Sequence, residues 1–497
     1  MENGTLLAAV DLGSNSFRLE IGRFEHGHIH RVEYLKETVR LGGGLDESRN
    51  LTREAMQRGW DCLARYGERL AGFSGGQVRA VATQTLREAR NRDDFLAGAR
   101  RVLGFPIDVI AGREEARLIY LGVAHLLPQS DERRLVVDIG GRSTELILGR
   151  HFEPHVTESF RVGSVSWSQR YFPEGEFTPT AFERARVAAL AVLDEALDRY
   201  PRTGWDSAYG SSGTIGAVAD VLESLGHPPG QVSREGLLQL QAMLLAAGSA
   251  ERLRIDVLRE DRKPVIGGGL AVLLAAFELL DIDTLVAADG ALRHGALFDL
   301  LDREHAATDV REATVARLAA RFAVDSAQAG RVSAVAAQLF RQLPAARGPR
   351  GDRHQRKLAW AAQLHEIGAQ VSHSNYHKHG AYILDNADAP GFTDFELHRL
   401  GQLVLGHRGK LRKLDVDLSQ PELAQQLMCL RVAVILCHAR RDPVLDALSL
   451  RAHGSGVTLR APAEWIRRFP QSAHLLREEA VAWQKTPWAF SFAETSG

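Results

Sequence analysis

The feature that most constrains this chain is a pattern that starts twice. Residues 6–11 (LLAAVD) read as a buried strand that ends in Asp11 and runs at once into the polar turn Gly13-Ser14-Asn15-Ser16. Residues 135–148 (LVVDIGGRSTELIL) read as two short buried strands meeting at a glycine turn, and the first again ends in an aspartate, Asp138. Each start continues as a hairpin and then as alternating helix and strand, which makes an α/β half. An internal duplication of this kind sets a cleft between the halves.

In the first half, residues 17–39 alternate around His26-Gly27 as a hairpin of the same sheet, and Thr52 caps a helix carrying Met56, Trp60, Leu63 and Leu70 at helical spacing. Strand 78–83, a helix opening at Thr85-Leu86-Arg87-Glu88, strand 107–110 and a helix beginning near Arg113 follow. The second half repeats the theme with strands 135–138, 144–148 and 152–160, helix 181–200, strand 207–209, and the turn Gly210-Ser211-Ser212-Gly213-Thr214 opening another helix. From about Glu304 to about Arg441 the pattern is almost unbroken helix. Residues 448–459 then read as a hairpin turning at His453-Gly454-Ser455-Gly456, followed by a helix and a Trp-rich tail. The expected domains are residues 1–126 and 127–303 (the two α/β halves), 304–444 (all-α) and 445–497 (small α+β).

A chain of 497 residues is long enough for about three domains by the length prior, and for a large core. With 61 Lys+Arg against 62 Asp+Glu its formal charge is −1, so no global field draws a polyanion, and no nucleic-acid partner is expected. Cys62, Cys429 and Cys437 make neither a disulfide framework nor a CxxC pair, which fits a reducing, cytoplasmic setting. No apolar run approaches membrane-spanning length, so no integral membrane segment is expected.

Three glycine and hydroxyl turns follow strands: DLGSNS from Asp11, DIGGRST from Asp138, and GSSGT from Gly210. Glycines let backbone N–H groups crowd onto an anion, and hydroxyls add donors. Asp138 and Glu145 flank the second turn, and carboxylates beside a phosphate cradle point to Mg²⁺, which takes one or two carboxylates plus phosphate oxygens. Tight turns alone would also account for each motif singly.

Together and in this order, the turns resemble the acetate and sugar kinase, heat-shock 70 and actin superfamily, a duplicated actin-like (ribonuclease H-like) fold. More narrowly, the chain is similar to the exopolyphosphatase and guanosine pentaphosphate phosphohydrolase family. The residues that carry this are AAVDLGSNSFRL from Ala8, TLREARN from Thr85, GREEARLIYLGV from Gly112, VVDIGGRSTEL from Val136, YGSSGTIGAV from Tyr209 and AADGALRHGAL from Ala287. The resemblance spans nearly the whole chain and implies an HD-like helical domain and a homodimer.

It also implies hydrolysis of a terminal phosphoanhydride with Mg²⁺, in which the protein positions groups and stabilises spreading negative charge. Glu115 then matches the catalytic glutamate that activates water, with Glu114 as fallback, and Arg87 matches a phosphate-binding arginine. Mg²⁺ falls to Asp138 and Glu145, with Asp11 less securely; Ser14, Asn15, Gly141, Ser143, Gly213 and Thr214 form the phosphate cradle. Arg142 departs from the family pattern, which has a third glycine there, and a guanidinium at that point is expected to clamp the substrate.

The helical part contains Leu364-His365-Glu366-Ile367-Gly368, then His373, His377, His379 and His407. Glu366 stands where HD phosphohydrolases have aspartate, so no working metal site is expected. The basic clusters from Arg353 (RHQRK) and from His407 (HRGKLRK) suit either a solvated face or a track for a polyanion. The expected activity is an exopolyphosphatase acting on inorganic polyphosphate, with guanosine pentaphosphate (pppGpp) phosphohydrolase as the alternative. A sugar or acetate kinase and a non-catalytic polyphosphate sensor are more distant rivals.

Overall fold

The computed structural model describes residues 2–26, 28–303, 309–347 and 351–495. Gly27, at the tip of the first expected hairpin, and Glu304, at an expected boundary, lie outside the described residues. The chain divides into two compact units, Met1–Asp309 and Val310–Gly497.

The first sheet comprises β1 (Leu6–Leu12), β2 (Phe17–Glu25), β3 (His28–Glu37), β4 (Val78–Ala82) and β5 (Ile107–Val109), in the order β3-β2-β1-β4-β5. The second contains β6 (Arg133–Ile139), β7 (Thr144–Arg150), β8 (Glu153–Phe160), β9 (Ser207–Ser211), β10 (Gln231–Ser233) and β11 (Thr284–Ala287), in the order β10-β11-β9-β6-β7-β8. Read from its other edge, the second order is the first with one strand added. The inner strands β1 and β6 pair in parallel with β4 and β9 and are covered on both faces, which explains their continuous apolar runs. At the edge, β3 is mostly exposed or half-buried, and its sequence is correspondingly polar.

Helices α1 (Arg53–Arg69), α2 (Gln84–Glu88), α3 (Arg92–Leu103) and α4 (Gly112–Leu126) complete the first half. Thr52 caps α1, its Oγ1 accepting from Ala55 N at 3.3 Å. The helix expected at Thr85 is only α2, which stops at an extended Ala89 before α3 begins. The second half holds α5 (Ser164–Tyr171), α6 (Pro179–Leu193), α7 (Gly213–Ser224), α8 (Arg234–Ala247), α9 (Lys263–Leu279) and α10 (Leu292–Asp302).

Helix α4 holds the halves together. Its Ile119, Tyr120 and Val123 share one core with Val81 of the first sheet and with Val136 and Ile147 of the second. On another face α4 lies against α10 so closely that a Cβ on Gly295 would overlap the Leu118 carbonyl. This backbone contact fixes the depth at which the first turn of α4, with Glu114 and Glu115, enters the space between the sheets.

The second unit carries α11 (Val310–Arg321), α12 (Ser326–Phe340), α13 (Gly351–Leu364), α14 (Tyr376–Asn386), α15 (Asp394–Gly406), α16 (Pro421–Leu436), α17 (Ala463–Arg468) and α18 (Pro470–Trp483). Strands β12 (Ser449–His453), β13 (Gly456–Ala461) and β14 (Ala489–Glu494) form a small sheet, so the Trp-rich tail ends as a third strand parallel to β13. Leu450, Leu459 and Phe490 of this sheet share a core with Leu358, Leu403 and Leu430 of the helices. Among the described residues, no helix is long and apolar enough to cross a membrane.

Candidate active site

The three glycine and hydroxyl turns converge on one cleft of about 420 Å³ within the first unit. Residues 13–16 follow β1, residues 140–143 join β6 to β7, and residues 212–214 start α7. The first two turns touch: a Cβ on Gly141 would lie 3.1 Å from Ser14 Cβ. Ser14 Oγ accepts from Thr85 Oγ1 at 2.8 Å, and Ser16 Oγ is buried without a partner among the described residues. In the third turn Ser212 has φ +95°, a backbone region costly for any residue but glycine, and such strain gathers at functional sites. Its Oγ accepts from Thr214 N and Ile215 N, capping α7 while the N-terminus of that helix faces the cleft.

Carboxylates line the floor. Asp11 accepts from Arg18 Nη1 at 2.9 Å, across the hairpin register that pairs those two residues. Asp138, next to last in β6, sits beside Ser211; burial pushes its pKa up to about 6, opposed by the Ser211 hydrogen bond and by Arg18. Glu115 is 7% exposed, and burial raises its pKa, Arg87 opposing and Asp11 and Asp138 reinforcing. Glu145 sits behind this layer, 1% exposed, accepting from Ser159 Oγ at 2.8 Å; burial, then Glu115 and Asp138, push it well above the usual carboxylate range. Burial and neighbouring carboxylates thus push Glu115, Asp138 and Glu145 toward their protonated forms.

Positive charge also lines the cleft, on residues the sequence did not single out. Arg18 of β2, Lys36 of β3, and Arg259 and Arg262 from the segment before α9 all line it. Lys36 is pushed down to about 8 by burial and by Arg262 and Arg259, with Asp261 opposing. Arg262 lies directly over the third turn, where a Cβ on Gly213 would overlap its guanidinium. One signal was available for Arg18: a tight turn between β1 and β2 sets it opposite Asp11. The others are isolated basic residues whose convergence only the fold creates.

Of the expected site residues, Asp11, Ser14, Asn15, Glu115, Asp138, Gly141, Ser143, Gly213 and Thr214 line the cleft. Glu114 points away, accepting from Arg117 at 2.8 and 2.9 Å, and Arg117 also binds Asp299 at 2.5 Å. Arg87 is spent on protein groups: Nη1 donates to Glu115 Oε2 at 2.7 Å and to the Ile110 carbonyl at 2.8 Å, while Nε and Nη2 donate to Gln84 Oε1. Arg142 needs a correction. The expectation was a side chain in the phosphate cradle, but the guanidinium turns to a nearer anion, donating to Glu88 Oε2 at 2.7 and 3.1 Å and to the Gly42 carbonyl at 3.2 Å.

In the second unit the His365 and His407 rings lie 5.4 Å apart and the His377 and His407 rings 6.3 Å apart. Nδ1 of His365 and of His407 each lies 2.6 Å from a backbone carbonyl, of Ala362 and Val404. Glu366 accepts from Arg440 Nη2 at 2.7 Å instead of joining these rings. Of the basic clusters, Lys357 is paired with Glu396, Arg408 stacks over Tyr376, and the side chain of Lys413 lies outside the described residues.

Comparison with known proteins decides the family. The Ppx/GppA phosphatase family model matches residues 21–304, and the model for domain III of that family matches residues 310–480. The chain belongs to the Ppx/GppA phosphatase family. It is therefore a hydrolase. Among solved structures, an exopolyphosphatase-like protein is 27% identical with TM-score 0.55, covering 60% of this chain and 98% of that one. The Ppx/GppA enzyme of Aquifex aeolicus is 26% identical with TM-score 0.50, covering 59% and 98%. These members share the actin-like α/β sheets. Over the full length, a Vibrio cholerae guanosine-5'-triphosphate,3'-diphosphate pyrophosphatase is 38% identical across 489 residues, 98% of each chain. An Aeromonas hydrophila protein of the same name is 37% identical across 494 residues, 98% of this chain and 99% of that one. These full-length relatives overturn the exopolyphosphatase expectation in favour of its guanosine pentaphosphate alternative. The motifs could not separate the two, because both substrates offer a terminal phosphoanhydride to one cradle.

Proposed function

We propose that this enzyme removes the terminal 5'-phosphate of guanosine 5'-triphosphate 3'-diphosphate. The observation that carries the reading is the charge in one cleft: three anion-binding turns around Glu115, and the cationic side chains of Arg18, Lys36, Arg259 and Arg262, with Arg18 on Asp11 and Arg262 over the third turn. A nucleotide with phosphates on both its 5' and 3' oxygens suits a cleft that offers backbone donors and several cations together, and the full-length relatives act on that compound by name.

In this reading the turns at residues 13–16, 140–143 and 212–214 hold the triphosphate through backbone N–H and hydroxyl donors. Glu115 takes a proton from the attacking water, and Arg87 orients its carboxyl group and favours the ionised form the base needs. Burial and the neighbouring carboxylates supply the opposite push, which sets the proton affinity of Glu115 nearer neutrality than a free glutamate. The floor suits a hard cation, because mutually repelling buried carboxylates are relieved by one. Asp138 and Asp11 would hold Mg²⁺, which would supply neutralising charge to the phosphate oxygens, and Glu145 lies behind them outside the cleft lining. Among the described residues no three His, Cys, Asp or Glu groups form a complete metal cage, so the remaining ligands would be substrate oxygens and water.

The domains proposed are residues 1–126 and 127–303 as the halves, 304–444 as an HD-like domain used for binding, and 445–497 as a small α+β domain. The separate sheets of the first two segments support it. A cytoplasmic homodimer completes the proposal, supported by family resemblance.

The test is phosphate release from guanosine 5'-triphosphate 3'-diphosphate and from long polyphosphate, each with and without Mg²⁺. The nucleotide should give the higher kcat/KM and should need the cation. A higher kcat/KM for polyphosphate overturns the proposal.

A further inference from the structure

Behind the cleft, hydrogen bonds run without a break from the second phosphate turn to the carboxylate of Glu115. Arg142 donates through Nη2 and Nε to Glu88 Oε2, at 2.7 and 3.1 Å. The other oxygen, Glu88 Oε1, accepts from Gln84 Nε2 at 2.6 Å. Gln84 Oε1 accepts from Arg87 Nε and Nη2, at 2.9 and 2.7 Å. Arg87 Nη1 then reaches Glu115 Oε2 at 2.7 Å.

The primary amide in the middle gives this relay a direction. A carboxylate accepts only and a guanidinium donates only, so Gln84 satisfies both neighbours in one orientation, NH₂ toward Glu88 and C=O toward Arg87. Arg142 fixes the Glu88 carboxylate that enforces this orientation. It is also the one member from the second half of the duplication; Glu88, Gln84, Arg87 and Glu115 all belong to the first. The pair it forms is largely enclosed, with side chains 19% and 14% exposed, so it is screened less than a surface ion pair. The same guanidinium donates to the Gly42 carbonyl, and Gly42 N donates to the Ser14 carbonyl at 2.8 Å, so the first phosphate turn is tied in as well.

We propose that Arg142 is a positioning residue that makes the aim of Glu115 depend on the two phosphate turns being apposed. When the halves separate, Arg142 leaves Glu88, the Gln84 amide loses its fixed orientation, and Arg87 loses an acceptor that holds it against Glu115. The inference rests on the reading of Glu115 as the base. It gives the departure at residue 142 a role that does not involve touching substrate.

The test compares Arg142→Met, Glu88→Gln, their double variant, and the swap Arg142→Glu with Glu88→Arg. Each single variant should lose roughly tenfold in kcat, the scale of one hydrogen bond to a charged group, with KM within about threefold. The acid limb of kcat should move to higher pH as Arg87 loosens from Glu115. The double variant should be no worse than either single one, and the swap should recover part of kcat. A KM rise at unchanged kcat would place Arg142 on the substrate and overturn the proposal, as would additive losses or an unmoved acid limb. Amide exchange of residues 84–88 in the unliganded protein is the readout without turnover: Arg142→Met should speed it, and unchanged exchange overturns the relay. A wild-type enzyme that leaves the pentaphosphate intact strikes the substrate reading instead, and the exchange measurement still decides the relay.

Discussion

Replacing Arg87 with methionine separates two roles that an arginine at the edge of a phosphate site can have. In this structure its guanidinium contacts Glu115, Gln84 and the Ile110 carbonyl, and it opposes the rise that burial imposes on the Glu115 pKa. Losing one hydrogen bond between charged groups costs about 1.5–3 kcal/mol, and with Arg87 gone the Glu115 pKa rises further. A base must be ionised to accept a proton, so kcat near neutrality should fall roughly ten- to hundredfold. Above the new pKa the carboxylate is ionised again, and the deficit should shrink as pH rises. The assay is steady-state phosphate release across pH, with kcat read apart from KM. A pH-independent loss, or a rise in KM alone, would refute the reasoning and return Arg87 to the phosphate.

Lys36 sets the opposite limb: with its pKa pushed down to about 8, it loses its charge above that pH, and KM should rise there. Lys36→Arg should hold KM flat over the same range; a KM rise identical in both enzymes contradicts this. His407 is buried among His365, His377 and Arg431, with a pKa well below the ordinary histidine value. The unfolded chain takes up a proton that the native state refuses, so stability is intact above the unfolded pKa of about 6.5 and falls by about 1.4 kcal/mol per pH unit below it. Protection of the α15 amides in the full chain, corrected for intrinsic exchange, should drop on moving from about pH 7 to pH 5. Constant protection excludes a neutral buried His407.

The strand ends were legible because an apolar run stops at a carboxylate. Asp11 and Asp138 mark the points where β1 and β6 emerge from the sheet, and the glycine turns follow at once. Choosing between Glu114 and Glu115 took the motif. In the structure these neighbours point to different faces of α4: Glu115 lines the cleft, and Glu114 is held by Arg117. What the sequence hides is convergence across distance. Lys36, Arg259 and Arg262 meet only because β3 and the segment before α9 flank the same cleft. Glu88 lies 54 residues before Arg142, so nothing local could show that the guanidinium has a protein partner nearer than the substrate. The closing strand β14 was missed for a similar reason, since its Phe490 and Phe492 alternation is too short to read before β13 is in place.

In the proposed mechanism Glu115 activates the water that cleaves the terminal 5'-phosphate of guanosine 5'-triphosphate 3'-diphosphate. Glu115→Gln keeps the size of the side chain and removes its basicity, so a transition-state interaction is lost while ground-state contacts remain. The decisive measurement is single-turnover phosphate release from the nucleotide by this variant, paired with its Kd. The predicted result is a rate about 10²–10⁴-fold below wild type, with Kd nearly unchanged. A variant that keeps more than about a tenth of the wild-type rate falls far short of that range and contradicts the claim.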